Sequence, residues 1–380
     1  MPPFFDRFRG IVPRRRRRAT GLIAPKESIW KRMPDHVFVR LVAFCELEDI
    51  ASLTLACRLT HARILRNESA ISQAYLSMRK KKPGSEFEGD NFLSPGDDLT
   101  FITELFPPPP PQYAACEGQE DVEYSLAYLT DLKRCWATCV RLSFHLADHV
   151  VRYHLETDTI ARPLWSSSKT EKEVVYTKAV GELQARLLHP LAYAIFFLES
   201  SASPEWGSSD QMTDLASFMR RQQFILQEPP FTDTQILLST QHCMELLCST
   251  VRRLMGPDFP WASSESWVTL LLLTSTLERV VQFFQSIASD TENHTQSAST
   301  SWSHRKEFLW QMRSDLGQYM ASIGQISGPN SEGGPMLDHV WFGAAHQELL
   351  LREAIPHRPE YPVPVLHGSE VTLHCKFCYH

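Results

Sequence analysis

Two short stretches of this chain carry residue types that do chemistry at a working spacing. His145 and His149 bracket Leu-Ala-Asp, and on a helix an i, i+4 pair turns both imidazoles to one side, as a zinc site needs. The order His-x-x-Asp-His has the form of an inverted zincin with Asp148 where the glutamate base would stand. One methylene shorter, that carboxylate reaches an activated water less well. No third ligand declares itself, and a chain with 15 histidines produces one such pair readily by chance. The expected role is a solvent-facing or hydrogen-bonded helix surface. The second stretch, Cys375-x-x-Cys378, lies between His374 and His380. Its turn would aim two thiolates at one tetrahedral centre. The flanking histidines sit too close in sequence to complete that centre without strain, and no second Cys-x-x-Cys exists. It reads as a tail. The sequence therefore assigns no metal, no cofactor and no catalytic residue, with Cys375, Cys378, His145 and His149 as its only metal candidates.

Other chemistries lack their signatures. There is no Gly-x-x-x-x-Gly-Lys-[Ser/Thr] loop, no Gly-x-Gly-x-x-Gly after a strand and no Gly-x-Ser-x-Gly. The 43% hydrophobic and 22% charged content is that of an ordinary globular protein. Nine scattered cysteines, odd in number and without a secretory leader, point to reduced thiols in a cytoplasmic or nuclear setting. The apolar runs 191–198 and 267–273 are too short to span a bilayer. Residues 1–82 carry 18 Lys+Arg against 7 Asp+Glu, so the rest holds the net −6 far on the acidic side. An acidic body is a poor match for nucleic acid. It could instead offer an acidic groove to a basic segment, although charge runs usually lie in solvent.

The elements that would position any function begin at residue 29. Pro34 suits the first turn of a helix and Asp35 places a carboxylate at its positive end. Val37, Leu41 and Phe44 then recur at i, i+4 and i+7 as one apolar face. Glu48 and Asp49 open a second helix, with Ile50, Leu53 and Cys57 as its stripe. A segment this small cannot bury both stripes against itself. It needs a partner or the rest of the chain.

The run Met33-Pro34-Asp35, an apolar helix, an acidic turn, and a second helix ending Leu53-x-x-x-Cys57-Arg58 resembles the F-box. The resemblance covers about an eighth of the chain, from Ile29 or Trp30 to about Leu76. It implies a small bundle of about three helices that docks on the adaptor Skp1, and through it on a cullin, in a ubiquitin ligase. Carried over by position, Met33 and Pro34 match the opening Leu-Pro pair, Val37, Leu41 and Phe44 the first helix, and Ile50, Leu53, Ala56 and Cys57 the second. Met33 replaces the usual Leu, and the closing tryptophan is missing, with Ile71 and Tyr75 in its region.

Around this module the chain divides readily. Residues 1–28, with Arg14 to Arg18, read as a disordered basic arm. Residues 77–114 read as a linker whose Phe106-Pro-Pro-Pro-Pro-Pro111 run is extended. Such a run is a stiff spacer, and also the ligand type of aromatic-lined grooves. Residues 115–360 read as one all-helical domain, with helices expected near 170–198, 211–227, 232–255, 264–290, 303–324 and 336–354. Pro190 should kink or split one of them. No repeat of fixed period is present. A tail with a possible short strand closes the chain at 361–380. The helical body resembles the C-terminal regions of certain fungal F-box proteins.

The expectation is an all-α, non-enzymatic substrate receptor that binds Skp1 and holds a target protein, touching neither nucleic acid nor membrane. Its rivals are Skp1 binding outside a ubiquitin ligase, and a zinc-binding or catalytic helical domain that carries an F-box.

Overall fold

Helix starts are set by local chemistry that the sequence announces. At Pro34 (φ −59°, ψ 147°) the chain turns, and its carbonyl accepts from the N–H groups of Val37 and Phe38 at 3.1 and 3.0 Å. The computed structural model describes residues 29–79, 99–108, 124–157, 168–202, 215–255, 277–293 and 340–355, together with 268, 271–272, 307–308, 310–312 and 314. Of these, 87% are helical and none lies in a strand, so the fold is all-α. The basic arm, Pro109 to Pro111, and the tail with its expected strand and Cys375 and Cys378 lie outside the described residues.

The chain forms two compact units that divide between Asn67 and Glu68. The described part of the first holds α1 (Ile29–Arg32), α2 (Asp35–Ala43), α3 (Leu47–Ala56) and α4 (Arg58–Arg66). Cys57 is fully extended (φ −161°, ψ 159°), ends α3 and caps α4, its sulfur accepting from Thr60 N–H at 3.5 Å. Thr60 Oγ1 lies 2.9 Å from the carbonyl oxygens of both Leu53 and Cys57, which ties α4 to the end of α3. Phe38, Val42, Ala43, Ile50 and Ile64 are buried.

The second unit begins with α5 (Glu68–Arg79), α6 (Leu99–Leu105), α7 (Leu126–Thr157) and α8 (Lys169–Ala202). It continues with α9 (Leu215–Gln227), α10 (Thr234–Met255), α11 (Glu278–Asn293) and α12 (Phe342–Leu351). α7 and α8 form an antiparallel pair, since Tyr176 donates to Asp148 and Gln184 to the Val140 carbonyl. α6 packs on both, α10 packs on α8, α11 on α7, and α12 on α9 and α10. The Phe197, Phe231 and Trp341 rings meet at the centre, with Phe197 4.6 Å from Trp341 and nearly perpendicular to it.

Four expectations change. Residues 68–76 belong with the second unit, where α5 packs on α6 and α7. The expected linker contains a helix, because Leu99, Ile102 and Leu105 give α6 a buried side. Of the kink or split expected at Pro190, α8 shows no split. The ring removes one hydrogen bond from a 34-residue helix, and the neighbouring Leu187, Leu188 and Leu191 are buried. The helix expected over 264–290 is interrupted at Leu277, whose φ of 62° is left-handed, and α11 starts one residue later.

Candidate functional site

α2 carries two apolar stripes offset by one residue, about 100° around the axis. Phe38 and Val42 point inward, while Val37, Leu41 and Phe44 stay exposed, Phe44 at 74%. The sequence-predicted stripe of α2 is thus the outward one, and the first unit's core uses its neighbour. Pro34, Ala56 and Cys57 are also exposed, and Met33 and Leu53 are half-buried.

Ile50, also of the expected set, is buried at 1% exposure beside Leu47 at 9%. Leu55, absent from that set, is 86% exposed, and Leu59 beyond the α3–α4 break is exposed as well. The signal for Leu55 was legible: it falls on the arc of α3 that carries Glu48 and Ala51, where a large apolar residue serves no internal core. Single exposed apolar residues are ordinary, but the described part of this small unit exposes seven large ones, Trp30, Val37, Leu41, Phe44, Leu55, Leu59 and Leu65.

The same helices also expose charge. Asp35 pairs with Arg63 at 2.7 Å, and Arg40, Glu46, Glu48, Asp49 and Arg58 are exposed. Cys57 is an exposed thiol whose pKa lies below its usual 9.0, because the Thr60 hydroxyl and then the Thr60 N–H stabilise the thiolate. The described part of this unit therefore exposes both apolar and charged side chains.

The histidine pair sits elsewhere, on α7 in the second unit. Both imidazoles, expected on a solvent-facing or hydrogen-bonded helix surface, are half-buried: His145 stacks parallel to the Phe284 ring of α11 at 6.1 Å, and His149 lies 6.5 Å from the same ring. Burial pushes the His145 pKa down. It takes that of His149 from 6.5 to about 4, with Arg253 and Arg152 adding to the effect. Asp148 accepts from Tyr176 and pairs with Arg152 at 3.3 Å. Neutral imidazoles packed on a phenyl ring, beside a carboxylate already engaged twice, make a helix–helix contact. Among the described residues no group of three candidate ligands surrounds them.

Phe106, the aromatic head of the proline run, packs 5.7 Å from Phe196 while its carbonyl accepts from Tyr128 at 2.6 Å. A groove that reads Phe-Pro-Pro would find that ring already occupied. Among the described residues no helix is long and apolar enough to cross a membrane. Comparison of the chain with protein-family models, with curated proteins and with solved structures finds no match.

Proposed function

We propose that this chain is an F-box protein: it binds Skp1 through α2–α4 and recruits a target protein through the helical second unit. The observation that carries the reading is the outward stripe of α2. Val37, Leu41 and Phe44 are left exposed in a unit whose core is filled by the adjacent residues. Their order behind Met33 and Pro34 matches the F-box pattern, and Leu55 and Leu59 widen the same kind of surface. Burying these side chains on an adaptor removes apolar area from water at roughly 25 cal/mol per Å².

Within a cullin-based ubiquitin ligase the chain would contribute proximity. Tethering a target near the charged ubiquitin carrier raises the effective concentration of its lysines and needs no catalytic residue from the receptor. This work belongs in the cytoplasm or nucleus. Co-purification of the full chain with Skp1 and cullin tests it. Skp1 without cullin would place the chain in a different Skp1 assembly, and neither would remove the F-box reading.

A further inference from the structure

We infer that Arg63 is the positioning residue of the docking face, an inference that rests on the F-box reading above. Its guanidinium uses all three nitrogens on one corner of the chain. Nε donates to Asp35 Oδ1 at 2.8 Å, Nη1 to the Trp30 carbonyl and Nη2 to the Met33 carbonyl. The same group lies 4.4 Å above the Phe38 ring, against which Trp30 packs edge-on at 6.4 Å. The side chain is only 13% exposed, and its partners lie 28 to 33 residues earlier.

The corner needs this donor. The Trp30 carbonyl lies within the single turn of α1 and that of Met33 one residue beyond it, both among the last carbonyls that a helix leaves without a donor of its own. Pro34, next in line, has no N–H to give. Arg63 supplies the missing donors and holds Asp35 at the start of α2. Contact with Phe38 then fixes the rotation of α2, keeping Phe38 and Val42 inside and Pro34, Val37 and Leu41 outside. A lysine keeps the charge but loses the planar fork, and one ammonium cannot serve three acceptors in these directions.

The test uses the full-length chain and purified Skp1, with affinity read by calorimetry. Arg63→Lys is expected to weaken binding about tenfold. In a Pro34→Ala background the same change should cost less than about threefold, because the corner it holds is already lost. In a Phe44→Ala background, remote from the corner, it should still cost about tenfold. The milder Asp35→Asn should show the same coupling to Pro34 with a smaller loss. Wild-type affinity for Arg63→Lys, or equal losses in both backgrounds for both variants, would overturn the positioning role. A wild-type chain that does not bind Skp1 at all would instead overturn the F-box reading.

Discussion

Gln241 Oε1 accepts the indole N–H of Trp341 at 2.6 Å, joining α10 to the residue that precedes α12, with both side chains buried. The same glutamine donates to Glu245 at 2.9 Å, so its amide is satisfied on both sides. Gln241→Leu leaves the indole donor buried and unpaired, which should cost about 1–3 kcal/mol. Urea unfolding of the second unit checks it, and combining the change with Trp341→Phe should recover part of the loss.

Arg352 should matter more than a surface arginine. It pairs with Glu348 at 2.8 Å and donates to the carbonyls of Leu226, Phe231 and Thr232, closing the connection between α9 and α10. Both partners of the ion pair are largely buried. Arg352→Met leaves Glu348 with only the Gln227 amide as donor and three carbonyls without this one, and about 3 kcal/mol of stability should go with it. Arg352→Lys should restore little, because the carbonyls are read by the fork.

Acid should loosen the contact between α7 and α11. His149 has an ordinary pKa of 6.5 when unfolded and about 4 when folded, so between those values the unfolded chain binds more protons. Stability is then full above pH 6.5 and falls as pH drops toward 4. His145 runs in the same direction. Because His149 keeps some contact with solvent, the loss should amount to about 1–2 kcal/mol. Thermal unfolding from pH 7 to 4.5 should show it, and His149→Phe should flatten that slope.

Ile50 and Leu55, five residues apart on α3, should separate folding from docking. Ile50→Ala opens the core and should cost the first unit about 2–5 kcal/mol. Leu55→Asp, at an exposed position, should change stability by less than about 0.5 kcal/mol. Hydrogen exchange of the α3 amides distinguishes the two.

Much of this was legible in the sequence, and the misses have physical causes. Helix content followed from 3.6-residue periodicity and from the helix-start signal at Pro34. Which of two adjacent stripes faces inward was not legible. Val37–Leu41–Phe44 and Phe38–Val42 are both apolar at helical spacing, and only the packing of Phe38 under Arg63 separates them. For Ile50, a stripe said only that the residue is apolar, and its burial was not legible from spacing alone. α6 was hidden by its seven residues, too few for a periodic pattern to stand out beside a proline run. The fate of His145 and His149 turned on Phe284, more than 130 residues away, which no local spacing reveals.

Binding of Skp1 by the exposed residues of α2–α4 decides the proposed function. It is tested most directly by capture of purified Skp1 on the full-length chain and on three single variants, Leu41→Asp, Leu55→Asp and Leu351→Asp. The last alters an exposed leucine of α12 in the second unit. A carboxylate buried unpaired in the contact opposes binding by several kcal/mol. Wild type and Leu351→Asp should therefore capture Skp1 alike, while Leu41→Asp and Leu55→Asp, with helicity intact, should not. Undiminished capture by Leu41→Asp would contradict the account.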